Sequence, residues 1–310
     1  MIDHMALSPA RQLVEFARTI RFSHTLFALP FALGTALVAE PPLPDGWSLA
    51  LVVACMVTAR TAAMGMNRVA DAALDARNPR TADRALPAGR LSRRAATAFM
   101  LVSAALFVQL AWLFLLLRDN WWPGILAPAF IGVLLGYSYT KRFTILSHWA
   151  LGLCLGLAPV GVWIALRGRV DLMPVLIGGA VLFWTAGFDI LYSLQDEPVD
   201  RREGLHTAAA RLGSVPAMLL AALSHVATLL LLALVLIVDV QRPGGPVLGL
   251  ASRLAVLAIA VALVVQHRRA HRSTPQEIAA AFTPLNVLVS FLWLAGVVAD
   301  AALAAYLPIR

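Results

Sequence analysis

The chain alternates long apolar runs with short polar breaks. Windows of about 20 apolar residues, the length that crosses the hydrocarbon core of a bilayer, fall at 22–39, 47–66, 95–117, 121–139, 149–166, 172–194, 215–238, 247–266 and 281–307. The pattern predicts an all-α, polytopic membrane protein with about nine transmembrane helices. Pro123, Pro128, Pro159 and Pro174 kink or start helices without breaking that count. Residues 1–21 read as a short polar, partly amphipathic leader carrying Arg11, Arg18 and Arg21. The run after it holds His24 and Pro30 and lacks a small-x-small cleavage site, so it is assigned as the first transmembrane helix.

Composition agrees. The 310 residues are 60% hydrophobic and 14% charged, with a mean hydropathy of +0.78, which places the chain outside the soluble range and excludes disorder. No Ser/Gly linker divides it, so one transmembrane domain is expected over 1–310. A net charge of +8 in a soluble chain would point to nucleic acid, but here the arginines sit in loops and set topology. In a nine-span arrangement the leader, loop 68–94, Lys141-Arg142, loop 201–211 and loop 268–272 share one side. The other side holds Glu40, Asp45, Arg118, Asp119, Arg167, Arg169, Asp239 and Arg242 and is poorer in positive charge. The positive-inside rule makes the basic loops cytoplasmic. Lys141 is the single lysine, an arginine bias typical of a GC-rich bacterial genome. Cys55 and Cys154 lie inside apolar runs without metal-type spacing, which argues against a disulfide framework or a zinc site. Membrane lipid is the expected surrounding, and neither nucleic acid nor a protein partner is implied.

The strongest chemical signal is the charged stretch 67–84, directly after an apolar run. Asp71 and Asp75 are spaced i, i+4, so a helix continuing through them sets both carboxylates on one face, about 6 Å apart. Two such anions call for a divalent cation or nearby cations, and Mg²⁺ suits oxygen ligands shared with substrate phosphate and water. Asn67 adds a neutral oxygen one turn earlier, and Arg68, Arg77, Arg80 and Arg84 surround the acids. A metal and an anion can bind there together, as a polyphosphate requires.

The pattern recurs in residues 189–213, where Asp196 and Asp200 repeat the spacing and Arg201 and Arg202 follow. Both acidic pairs lie just beyond apolar runs and precede short loops closing in Arg90-Leu91-Ser92 and Arg211-Leu212-Gly213. The chain reads as two pseudo-repeat halves, about 22–142 and 149–266, plus a last helix. Pseudo-repeats bring corresponding loops around one cavity, and two facing acid pairs can hold more than one Mg²⁺ and clamp a diphosphate.

Asn67-Arg68-x-x-Asp71-x-x-x-Asp75-x-x-Asn78-Pro79-Arg80-Thr81, Arg84-x-Leu86-Pro87-x-Gly89 and Asp189-x-x-Tyr192-x-x-Gln195-Asp196-x-x-x-Asp200 resemble the two signatures of the UbiA-type intramembrane prenyltransferases. The likeness runs over the whole chain, through Phe27-Ala28-Leu29-Pro30, Tyr137-Ser138-Tyr139-Thr140-Lys141-Arg142 and Gly204-Leu205-His206-Thr207. Within the family the chain is most similar to the enzymes that prenylate 4-hydroxybenzoate in ubiquinone synthesis. It also resembles those that prenylate a futalosine-derived or naphthoate acceptor in menaquinone synthesis. The resemblance implies a nine-helix bundle around a central cavity in the bacterial inner membrane. It also implies Mg²⁺ held by the aspartate motifs, with polyprenyl diphosphate and an aromatic acceptor as partners. Ala85 departs from the family pattern, in which a proline is common there.

Residue types supply a mechanism. Neutralising an allylic diphosphate makes it a better leaving group, and Arg68, Lys141, Arg142 and Arg201 are the candidates. An allylic cation then alkylates the carbon ortho to a phenol in a site that excludes water. Tyr137, Tyr139, Phe188 and Tyr192 offer aromatic faces to that cation. Asp189, on one face with Tyr192 and Asp196, orients the acceptor or receives its ring proton, a role the released diphosphate can also fill. Arg60 lies inside the second span, two turns before Asn67, and has two readings: it binds the carboxylate of an aromatic acid, or it snorkels or pairs with a neighbouring acid. His206 touches diphosphate or packs its loop, while His24 and His225 read as satisfied bundle residues. His148 and the His267-Arg268-Arg269-x-His271-Arg272 cluster read as anchors facing lipid headgroups. Two other classes fit less well. A CDP-alcohol phosphotransferase needs an Asp-Gly ahead of Ala59-Arg60, which is missing, and a secondary transporter concentrates its charge near the midplane.

Overall fold

The computed structural model describes residues 9–19, 27–272 and 275–306. Arg21, His24 and the opening of the first span lie outside the described residues, as does the side chain of His271. A short helix α1 (Pro9–Thr19) is followed by α2 (Ala28–Ala39), α3 (Gly46–Arg77), α4 (Arg93–Arg118), α5 (Trp122–Thr140), α6 (Ser147–Arg167) and α7 (Leu172–Ser193). Two small helices come next, α8 (Glu197–Arg202) and α9 (Ala208–Leu212), and then α10 (Ser214–Val240), α11 (Leu250–Arg272) and α12 (Pro275–Tyr306). Among the described residues, eight helical stretches are long and apolar enough to span a bilayer, and α2 is a shorter apolar helix. The protein is a multi-pass membrane protein.

Each long helix packs against the next in sequence, and α12 closes the ring on α2, which also touches α6 and α7. The core between them is aromatic. Trp184, Trp293 and Phe31 are almost wholly buried, with Phe31 stacked on Trp293 at 6.0 Å between centroids. Gly34 makes room, since a Cβ there would sit 2.8 Å from the Trp293 indole nitrogen. Leu116, Leu219 and Leu230 point outward, an apolar exterior suited to lipid.

Two departures from straight helices position the chemistry. Helix α3 has 32 residues, about 48 Å at 1.5 Å per residue, so it outruns a hydrocarbon core of about 30 Å. Its N-terminus is fixed by Asp45, which accepts from the Ser48 N–H at 2.9 Å. Its last turns carry the first acidic motif as continuous helix. The second motif, in contrast, is broken: α7 stops at Ser193, and a 3₁₀ turn (Leu194–Asp196) leads into α8. Pro198 has no N–H to donate to the Leu194 carbonyl, and Glu197 donates to it instead. Asp196 and Asp200 therefore do not share one regular helix face, as their i, i+4 spacing predicts. The first sits on the 3₁₀ turn and the second within α8.

Helices α6 and α7 approach backbone to backbone through glycine. A Cβ on Gly152 would meet the Leu182 carbonyl oxygen at 2.3 Å, and one on Gly156 would meet that of Gly178 at 2.5 Å. Small residues that let backbones touch are a usual basis of helix association in membranes. One turn before Gly152 on the same stripe of α6 stands His148.

Candidate active site

A cavity of about 310 Å³ opens among α3, α5, α6, α7 and the loops around α8. Asn67, Arg68, Asp71 and Asp75 enter from the end of α3, Tyr137 and Lys141 from α5, and Asp189, Tyr192, Asp196 and Asp200 from α7 and α8. Arg60 lines its deeper part, with Phe27 and Phe188. The two aromatic rings pack edge to face at 5.6 Å.

Every acid of the two motifs has a specific partner. Asp71, 3% exposed, accepts from Lys141 Nζ at 2.6 Å, from Asn67 at 3.2 Å and from Arg142 at 3.4 Å. Asp75 takes Arg84 through both carboxylate oxygens, at 2.7 and 2.8 Å, with Arg68 at 3.7 Å. Asp196 is held by the opposite motif: Asn78 donates to it at 3.0 Å, and Arg80 grips it with Nε at 2.9 Å and with Nη2. Arg80 also donates to the Tyr192 hydroxyl at 3.3 Å and lies 5.5 Å from the centre of that ring. Burial works against the Arg80 charge, but the Asp196 hydrogen bond and negative charge outweigh it and hold the guanidinium above its ordinary pKa. Asp200 accepts from Thr207 at 3.0 Å.

The lining carries six acids, Asp71, Asp75, Asp189, Asp196, Asp200 and Glu203, against five cations, Arg60, Arg68, Arg80, Arg84 and Lys141. The acids exceed the Arg and Lys cations by one, so the lining leaves room for an added cation. The donor set suits a hard ion, because Asp71, Asp75, Asp196, Asp200 and Asn67 offer oxygen only. Among the described residues no three acids converge on one point, so an ion here would complete its shell with substrate oxygens and water. The Nε of Arg68 is a buried donor without a partner, which fits an anion in the same cavity.

Several residues stand elsewhere than the sequence reading put them. Arg77 is 57% exposed and pairs with Glu203 at 2.9 Å, and Arg201 is 61% exposed and pairs with Glu197 at 2.8 Å. Neither lines the cavity, because each projects from the outer face of its helix. Arg142 reaches Asp71 from behind and donates to the Ala70 carbonyl at 2.7 Å. Tyr139 lies outside the lining, with Arg142 4.9 Å from its ring centre. His148 does not face headgroups: it is 2% exposed, lines the cavity and meets Asp189 at 2.7 Å. His267 is likewise turned inward, 2.9 Å from His225 across α10 and α11. Asn78, Arg80, Arg84 and Thr207 joined the lining from loops. For the first three the signal was present in the charged stretch that holds them, whereas Thr207 was marked only as part of the Gly204-Leu205-His206-Thr207 run, with no role attached.

Fold and site together define a multi-pass membrane protein whose two acidic motifs, on separate helices, enclose one cavity. A profile of the UbiA prenyltransferase family matches residues 28–295, and the chain belongs to that family. It is similar to the 4-hydroxybenzoate octaprenyltransferase of Azotobacter vinelandii, 30% identical over 261 residues that cover 83% of each chain. The Xanthomonas euvesicatoria protein of the same name is 32% identical, over 57% of each chain. That match spans little more than half the relative's length. A UbiA homologue from Aeropyrum pernix, solved in its apo form, has a TM-score of 0.77 and 31% identity, covering 90% of this chain and 98% of that one. The likeness to the Archaeoglobus fulgidus homologue solved with GPP and Mg²⁺ is one of fold alone, with a TM-score of 0.64 at 18% identity and coverage of 92% and 99%.

Proposed function

We propose that this protein transfers a polyprenyl group from an allylic diphosphate to an aromatic acid, with 4-hydroxybenzoate as the acceptor and Mg²⁺ as the required ion. The observation that carries this reading is the grip of Arg80, from the loop after the first motif, on Asp196 of the second. It makes the two motifs walls of one cavity. Asn67, Asp71, Asp75, Asp196 and Asp200 would hold the metal, which supplies the positive charge that binds diphosphate and stabilises it as it leaves.

The chain's own residues do the rest. Arg68, Lys141, Arg80 and Arg84 are tied to carboxylates and stand ready to turn to phosphate oxygens once the acids engage metal. Phe188, Tyr137 and Tyr192 present ring faces to the allylic carbon as its C–O bond breaks. Arg60, deeper in the cavity, receives the acceptor carboxylate. The ring carbon ortho to the phenol bonds to the allylic carbon, and the ring proton passes to Asp189 or to the departing diphosphate. The surrounding helices exclude water that would quench the cation. The loops bearing both motifs carry most of the arginines, which supports a cytoplasmic orientation in a bacterial inner membrane. One domain of two related halves, about 22–142 and 149–266, with a last helix, accounts for the paired motifs.

Diphosphate release tests the reaction class. The purified protein, given an allylic diphosphate and the acceptor, should release diphosphate with Mg²⁺ and none after chelation. Equal amounts with and without the ion would exclude this mechanism, and a transporter would release none in either case.

A further inference from the structure

The His148 imidazole is buried in the first turn of α6 and has both nitrogens engaged. Nδ1 lies 2.7 Å from Asp189 Oδ2. Nε2 lies 3.2 Å from the backbone nitrogen of Ala208 and accepts its hydrogen. A backbone N–H can only donate, so Nε2 must present a lone pair. The ring proton is thereby assigned to Nδ1, which donates it to Asp189.

The fold presses this contact into place. Gly156 on Gly178 and Gly152 on Leu182 bring α6 onto α7 with no side chain between them, and His148 continues the same stripe of α6 toward Asp189. Ala208 opens α9, directly after Thr207, whose hydroxyl caps that helix and donates to Asp200. One ring thus spans the acid Asp189, the α6–α7 seam and the segment that anchors the second motif.

We infer that His148 is a positioning residue for Asp189: as the neutral Nδ1–H tautomer it fixes Oδ2 and turns Oδ1 toward the aromatic acceptor. This rests on the proposed reaction, in which Asp189 orients the acceptor or takes its ring proton. The Nδ1–H bond to Oδ2 holds the Asp189 carboxylate in one fixed direction. A misplacement of about 1 Å at a reacting group can cost on the order of 100-fold in rate, so the effect is expected in turnover and not in donor binding.

The test uses the full-length protein with Mg²⁺, a polyprenyl diphosphate and 4-hydroxybenzoate. His148→Phe keeps the ring volume and removes both nitrogens, and His148→Asn keeps a donor near Nδ1. The Phe variant should lower kcat roughly 10- to 100-fold with the KM for diphosphate within twofold, and the Asn variant should recover most of the loss. Nitrogen NMR of the ¹⁵N-histidine-labelled wild type, assigned by the signal lost in His148→Asn, should show protonated Nδ1 and bare Nε2. The NMR readout does not depend on the reaction being the one proposed. A protonated Nε2, or a Phe variant with kcat within twofold of wild type, would overturn the inference. So would a diphosphate KM that rises in step with the loss of kcat, since that marks collapse of the second-motif segment. If the wild type prenylates no aromatic acceptor while the tautomer is as assigned, the positioning role falls together with the reaction, and His148 remains only a tether of Asp189.

Discussion

Arg60 carries the most specific expectation of the proposed reaction. A cation on the wall of an intramembrane cavity is costly unless it serves something, and it lies deeper than the carboxylates that meet diphosphate. Loss of a charge-assisted hydrogen bond costs roughly 1.5–3 kcal/mol, or about 10- to 150-fold in an equilibrium constant. Arg60→Leu should therefore raise the KM for 4-hydroxybenzoate by about that factor and leave the KM for the prenyl diphosphate nearly unchanged. Steady-state kinetics with each substrate varied in turn would check this, and an unchanged acceptor KM would return Arg60 to a purely structural part. At this scale the sequence was legible where charge is clustered along the chain: Asp71, Asp75, Asp196 and Lys141 all line the cavity. It was illegible where the contact joins residues distant in sequence. His148 follows Lys141-Arg142 at the head of an apolar run, the local signature of an interfacial anchor, and its true partner lies 41 residues further on. Arg77 and Arg201 stand outside the cavity for the converse reason. Proximity in sequence to an acidic motif does not say which face of the helix a side chain leaves from.

Among the elements, the α6–α7 seam bears the site most directly. Adding a methyl group at Gly152 forces it against the Leu182 carbonyl, which is backbone and cannot rotate away. Overpacking of this kind costs about 1–3 kcal/mol. Gly152→Ala should lower the unfolding temperature in detergent and cut activity by displacing His148 from Asp189. Gly132→Ala on α5, where nothing lies within 4 Å of the new carbon, should leave both unchanged. Thermal unfolding and turnover of the two variants would separate a seam effect from a general intolerance of alanine, and equal behaviour would refute the seam's importance. Helix positions were readable from apolar run length, since α5 and α6 fall within a few residues of their predicted windows. The break between α7 and α8 was not read, because the repeated i, i+4 spacing spoke for continuous helix while Pro198 between the two acids spoke against it. Backbone hydrogen bonding settled the conflict in favour of proline.

For the molecule as a whole, the ring of helices explains why one site needs two motifs from separate parts of the chain. Successive helices are neighbours, and the segments that carry the two motifs come to one cavity. The most direct measurement is product formation in sealed inside-out membrane vesicles given Mg²⁺, a labelled polyprenyl diphosphate and 4-hydroxybenzoate. Wild type, Asp71→Ala and Asp196→Ala would be compared. Prenylated 4-hydroxybenzoate should form with the wild type and disappear in both variants. Product that persists in either variant would contradict a shared two-motif site. A wild type that makes no product with this acceptor but prenylates a futalosine-derived or naphthoate acceptor would contradict the choice of acceptor while leaving the chemistry in place.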